Sequence, residues 1–227
     1  MGDRVIKRFI FDLISNIPMS TIRQIKNIEY FTKGHRGFLY IGNYKKKKVV
    51  IKTERKDSKA IGRIENEINY LKILNKKGIG PKLFFYDKKF TYFVYEYIDG
   101  WFFPIFLEHS TKKNKNLIKK IIKNVFIQCF RMDKLKTNKE EMHHPYKHII
   151  IETKTKKPVL VDFERCHKSK EPVNVTQFSS YIISGFMINL LKDKGIKVDR
   201  EKVIAAAKKY KKKNSKKNLD NMMKNVK

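Results

Sequence analysis

Val49-Val50-Ile51-Lys52 is a short apolar run closed by a lysine, and the residues on either side of it decide how the chain folds. Consecutive β-branched residues read as strand. A lysine among them is costly to bury without an anion. Lys52 therefore either has a partner or points outward from an edge strand. Upstream, Lys45 to Lys48 reads as the charged tip of a hairpin, and Ile28 to Tyr44 reads as two strands about the turn Gly34-His35-Arg36-Gly37. Downstream, between Ala60 and Asn75, Ile64, Ile68, Leu71 and Leu74 make one apolar helical stripe. Gly78, Gly80 and Pro81 stop that helix, and strands near 82–86 and 90–97 follow across a turn at Asp87-Lys88-Lys89.

Beyond Trp101 the pattern becomes helical. Leu117, Ile121, Val125 and Cys129 recur every four residues, widened by Ile122, Phe126 and Phe130, and predict a long buried helix ending near Leu135. A short hairpin is expected from 148–152 and 158–162, then helical segments near 174–192 and 199–213. This order predicts an α+β chain in two lobes with a cleft between them: a β-rich lobe over 28–97 and a compact, mostly helical lobe over 98–207. A helical extension over 1–27 and a fraying basic tail over 208–227 complete the expected organisation.

Composition sets outer bounds. A chain of 227 residues with 41% hydrophobic content is able to bury a core and is unlike a disordered segment. It holds no apolar run of eighteen residues, so no membrane span is expected. Val5 to Ile14 is interrupted by charges and lacks a small-residue cleavage site, which suits an amphipathic helix better than a signal peptide and points to the cytoplasm. Cys129 and Cys166 have no metal spacing, and Cys129 falls on the apolar face of its helix. The net charge is +31, from 53 basic against 22 acidic residues. Such an excess attracts polyanions, RNA or a ribonucleoprotein among them, and it also follows from a lysine-rich genome-wide composition. Charge alone does not choose between these.

Placed together, the glycine turn, Lys52, a carboxylate on the following helix and the late strand Val159-Leu160-Val161-Asp162-Phe163-Glu164 resemble the protein-kinase-like superfamily over roughly residues 28–190. The chain is most similar to small atypical archaeal serine/threonine kinases, such as the RIO kinases and the kinase of the tRNA-threonylcarbamoylation complex. The resemblance implies that the amides of Gly34 and Gly37 approach nucleotide phosphates, with Thr32 standing where the first loop glycine falls. It implies that Lys52 contacts the α- and β-phosphates and that a helix carboxylate holds it, Glu67 being favoured over Glu65. Tyr95-Glu96-Tyr97-Ile98 resembles the adenine-bordering hinge, with contacts from the Glu96 carbonyl and the Ile98 amide. Asp162-Phe163-Glu164 resembles Asp-Phe-Gly, its aspartate taking Mg²⁺.

The loop Glu141-Met142-His143-His144-Pro145-Tyr146-Lys147-His148 departs from the family pattern. Aligned on the strand that follows, His143 stands at the catalytic aspartate position and His148 at the metal-binding asparagine position. A histidine accepts a proton near neutral pH or ligates a metal when neutral, so His143 is the expected base and His148 an expected metal ligand. Three histidines in six residues also raise a transition-metal site completed by Glu141 or Asp162. No Ala-Pro-Glu motif follows, and only eight residues separate Cys166 from Asn174. The expected activity is transfer of the γ-phosphate of Mg-ATP to a hydroxyl of a protein or small molecule. A small-molecule kinase is one rival reading, and an RNA-docking pseudokinase or ATPase is the other.

Overall fold

The computed structural model describes residues 23–33, 37–54 and 62–227, arranged as two compact units. The first unit comprises residues up to Lys76 together with Pro81–Tyr97, and the second holds Lys77–Gly80 and Ile98–Lys227. The described residues form an α+β structure. The expected N-terminal helix lies outside them except at its end, where Ile25 is buried and Lys26 already begins a strand.

The first unit is built on an antiparallel sheet of β1 (Lys26–Lys33), β2 (Gly37–Tyr44), β3 (Lys47–Glu54), β4 (Leu83–Tyr86) and β5 (Tyr92–Glu96), in the order β1-β2-β3-β5-β4. The turn between β2 and β3 is formed by Lys45 and Lys46, both left-handed with φ of 47° and 63°, the twist that a two-residue hairpin needs. Strand β3 is interior, paired with β2 on one side and β5 on the other. Its alternation sends Val49 and Ile51 into one core layer with Tyr40, Tyr92 and Val94. Val50 and Lys52 take the opposite side. Helix α1 (Arg63–Asn75) starts after left-handed Gly62 and buries Ile64, Glu67, Ile68, Tyr70, Leu71 and Leu74. Its last residue, Asn75, is tied to the strand that follows: its Nδ2 donates to the Pro81 carbonyl at 2.9 Å, and its Oδ1 accepts from Leu83 N at 2.8 Å.

In the second unit β6 (Gly100–Phe102), β8 (Ile149–Glu152) and β9 (Pro158–Leu160) make a small antiparallel sheet in the order β6-β8-β9. Strand β7 (Thr137–Asn138) pairs with β10 (His167–Lys168). Helix α2 (Phe103–Glu108) leads to the long α3 (Lys115–Lys134), which buries Ile118, Ile121, Ile122, Val125, Phe126, Gln128, Cys129, Met132 and Asp133. Phe126 meets Phe178 of α4 (Asn174–Ile182) edge-on, with ring centroids 4.8 Å apart. The helical segment expected over 174–192 is two helices. Ser184 breaks it and caps α5 (Gly185–Asp193) by accepting from Met187 N.

Over 208–227, where a basic tail is expected, the chain is largely helical. Helix α6 (Arg200–Lys212) runs through the expected boundary at 207, and α7 (Lys216–Met223) follows it. Ser215 caps α7, Leu219 and Met222 are buried, and Val226 bridges Val198. The lysine run occupies the exposed sides of a folded helix pair whose inner sides carry Tyr210, Leu219 and Met222.

Candidate functional site

Lys52 leaves the middle of β3 on the side of α1, and Glu67 lies on the buried stripe of that helix one step before Ile68. Lys52 Nζ donates to Glu67 Oε2 at 2.6 Å. The side chains are 12% and 5% exposed, so water screens the pair little. Glu65 is exposed, as the helical period requires for a residue off the apolar stripe. The same period explains why a glutamate is buried here at all. Position 67 falls between Ile64 and Leu71 on the core side, where a carboxylate persists only with a charged partner.

Of the glycine turn, Gly34 lies outside the described residues. Gly37 opens β2 opposite Glu54, and a Cβ there would come within 2.4 Å of the Thr53 carbonyl oxygen. Close approach of β3 therefore accounts for glycine at 37. Glu96 ends β5, where its N donates to the Lys82 carbonyl at 2.9 Å and its carboxylate accepts from Lys82 N at 3.3 Å. Ile98 begins the longer segment of the second unit.

In the second unit the structure gathers His148 and Asp162 about a residue that carried no sequence signal, Lys139. This lysine is 1% exposed. Its ammonium group offers three N–H donors and meets three acceptors: the main-chain carbonyl of Asp162, His148 Nδ1 at 3.4 Å and the Glu141 carboxylate at 3.6 Å. The ring of Phe163 lies 5.2 Å from the same nitrogen. Asp162 is left-handed, φ 62°, a region that aspartate tolerates better than most residues. The turn out of β9 is set by Val161 N, which donates to the His148 carbonyl at 3.0 Å.

A buried polar network supports Lys139. Its amide donates to Asn174 Oδ1 at 2.8 Å, and its carbonyl, like that of Glu140, accepts from the Gln177 side chain at 3.1 Å when that amide is oriented to satisfy both. Asn174 in turn donates to Asp133 Oδ1 at 2.7 Å and to the Thr137 carbonyl at 2.7 Å. Asp133 also accepts from the Asn174 and Val175 amides and from the Tyr210 hydroxyl. Burial outweighs these donors and raises the Asp133 carboxyl to about 6. These contacts join segments far apart in sequence.

The two candidate histidines differ. His143 is exposed, in the 3-10 turn Glu140–His143, and its Nδ1 lies 3.1 Å from the Glu140 carbonyl. A carbonyl only accepts, so the proton sits on Nδ1 and the basic lone pair on Nε2. His148 is held below its ordinary pKa chiefly by burial, with Lys139 adding to the effect, and so stays neutral. Among the described residues no histidine belongs to a cluster of three or more metal-ligating side chains, which leaves the transition-metal reading of this loop without a geometric basis. Cys129 is a core thiol that burial pushes well up, and Cys166 is also buried.

No protein-family model matches the chain, and no curated protein matches it. Among the described residues no helix is long and apolar enough to cross a membrane.

Proposed function

We propose that the protein is an ATP-dependent phosphotransferase of the atypical serine/threonine-kinase type, acting with Mg²⁺ on a hydroxyl acceptor. The observation that carries this reading is the 2.6 Å pair between Lys52 on an interior strand and Glu67 on the buried face of the next helix. A buried lysine held by a carboxylate keeps its ammonium in a fixed place, where it can meet a phosphate oxygen. Lys52 would take nucleotide phosphates, and Asp162 would hold Mg²⁺, which neutralises charge on the transferring phosphoryl group. His143, with its lone pair on Nε2, suits proton acceptance from the hydroxyl. The short stretch from Cys166 to Asn174, partly taken up by β10, leaves little chain for an extended peptide-binding loop. Small-molecule acceptors therefore belong beside proteins in any screen.

The test is nucleotide binding and phosphate release with Mg-ATP for the wild type, Lys52→Met and Asp162→Ala, each checked for folding. Wild-type binding lost in both variants is the expected result. Binding that survives both changes overturns the assignment.

A second reading, a nucleic-acid-docking pseudokinase, rests on a different observation. Lys208, Lys209, Lys211, Lys212, Lys213, Lys216 and Lys217 are all exposed on α6, α7 and the turn between them, and of these Lys216 pairs with Asp220. ATP binding without turnover, together with salt-sensitive RNA binding, would favour it.

A further inference from the structure

We infer that Lys139 sets His148 as a hydrogen-bond donor to an anionic oxygen, so that His148 binds a phosphate of the nucleotide and is not a metal ligand. The inference rests on the phosphotransferase reading for the identity of the anion, and on geometry for the rest. An ammonium group has no lone pair to offer, so the 3.4 Å approach of Lys139 Nζ to His148 Nδ1 makes Nδ1 the acceptor. A neutral imidazole with its lone pair engaged at Nδ1 carries its proton on Nε2. Metal ligation needs a lone pair, and neither nitrogen then supplies one. Nε2–H suits a phosphate oxygen, for which a charged acceptor strengthens the bond.

Turning Lys139 away would also give up its bond to the Asp162 carbonyl and its approach to the Glu141 carboxylate, which Arg165 faces at 3.4 Å from another side. One buried lysine thus fixes the tautomer of His148 and also bonds the Asp162 carbonyl. His143 has the opposite tautomer because its Nδ1 meets a carbonyl. Two histidines five residues apart are in this way assigned opposite roles, an acceptor at 143 and a donor at 148. Lys139 is a positioning residue acting through His148.

The experiment uses the full chain and two readouts. Imidazole ¹⁵N–¹H correlation spectra, assigned by the loss of one spin system in His148→Gln, report the tautomer without any ligand. The expected spectrum shows His148 protonated on Nε2 in the wild type and altered in Lys139→Met. ATP affinity is then measured with Mg²⁺ and again in excess EDTA. Loss of a donor to a charged oxygen should weaken metal-free ATP binding about tenfold or more in His148→Ala. His148→Gln, whose side-chain amide still donates, should recover most of it. Metal-free affinity unchanged in His148→Ala, with only Mg-ATP binding weakened, overturns the proposal in favour of metal ligation. A wild-type spectrum showing Nδ1–H overturns it as well. If the wild type binds no nucleotide under either condition, the phosphotransferase reading fails and the phosphate role falls with it, while the spectra still decide the tautomer. Where Lys139→Met does not fold, the wild-type spectrum and the two His148 variants decide between donor and metal ligand.

Discussion

Lys52 Nζ and Glu67 Oε2 lie 2.6 Å apart, one from the third strand of a five-stranded sheet and the other from the helix that follows it. Removing either partner takes a close opposite charge away from the other in a nearly dry setting. Lys52→Met or Glu67→Leu alone should therefore cost on the order of 3 kcal/mol of folding stability. Both changes together put apolar residues of similar size on each side, and should return stability to within about 1 kcal/mol of wild type. Urea unfolding of the four proteins measures this. A double variant whose deficit equals the sum of the single deficits would show that the pair is not coupled.

Gly37→Ala tests the packing explanation for a glycine that the resemblance assigns to phosphate binding. An added Cβ would sit 2.4 Å from the Thr53 carbonyl oxygen, which belongs to backbone and yields only if β2 and β3 move apart. The expected cost is about 1–3 kcal/mol, read as a fall of several degrees in Tm. An unchanged Tm would count against the close approach, and any loss of nucleotide binding in this variant has to be read beside its stability.

Asp133 predicts a pH dependence with a definite sign. Its carboxyl is raised from 3.8 to about 6 in the folded protein, so the folded state binds the proton more tightly than the unfolded state does. Its contribution favours folding at low pH, is lost as pH rises through roughly 4 to 6, and is flat above that. The shift corresponds to about 3 kcal/mol. Asp133→Asn should remove this slope from a plot of stability against pH. It should also destabilise by at least about 2 kcal/mol at pH 7, because its amide would face the donors of Asn174 and Tyr210. A slope in that window unchanged by the substitution would contradict the assignment.

Tyr40 is fully buried in the first unit's core, and its hydroxyl has no hydrogen-bond partner among the described residues. Burial pushes that hydroxyl up to about 12. A desolvated, unsatisfied hydroxyl costs about 1–3 kcal/mol, so Tyr40→Phe should leave Tm unchanged or raise it. A lower Tm would reveal a partner for the hydroxyl.

The parts of the structure legible in the sequence are those where one local pattern decides the outcome. Val49 to Ile51 form a strand because β-branched side chains fit a pleat, and the 3.6-residue period alone separates buried Glu67 from exposed Glu65. Lys139 was not legible. Nothing in Asn138-Lys139-Glu140-Glu141 distinguishes it from a solvated lysine, and its burial depends on acceptors at positions 148 and 162 together with Glu141. Asn174 and Asp133 are 41 residues apart and meet only in the folded chain. The final helix did leave a signal, since Leu219 and Met222 are spaced for one apolar side, but the lysines around them hid it.

That helix pair carries the last prediction. Lys208, Lys212, Lys213 and Lys216 are exposed, and none lies on the buried side formed by Tyr210, Leu219 and Met222. Changing all four to Gln should alter stability little, as exposed substitutions seldom shift it by more than about 0.5 kcal/mol each. If these lysines neutralise phosphates of a single-stranded RNA, each contact releases counterions. The slope of log K against log salt should then shrink by about 0.7 per lysine engaged, and by roughly 3 if all four are. Salt-titrated binding to an unstructured oligonucleotide, beside vesicles containing anionic lipid, makes the measurement. Equal loss of affinity for both surfaces would mark a general polyanion field, and a loss confined to RNA would mark a nucleic-acid face. An RNA affinity and slope unchanged by all four substitutions would mean that the lysines on α6 and α7 reflect composition and have no part in binding.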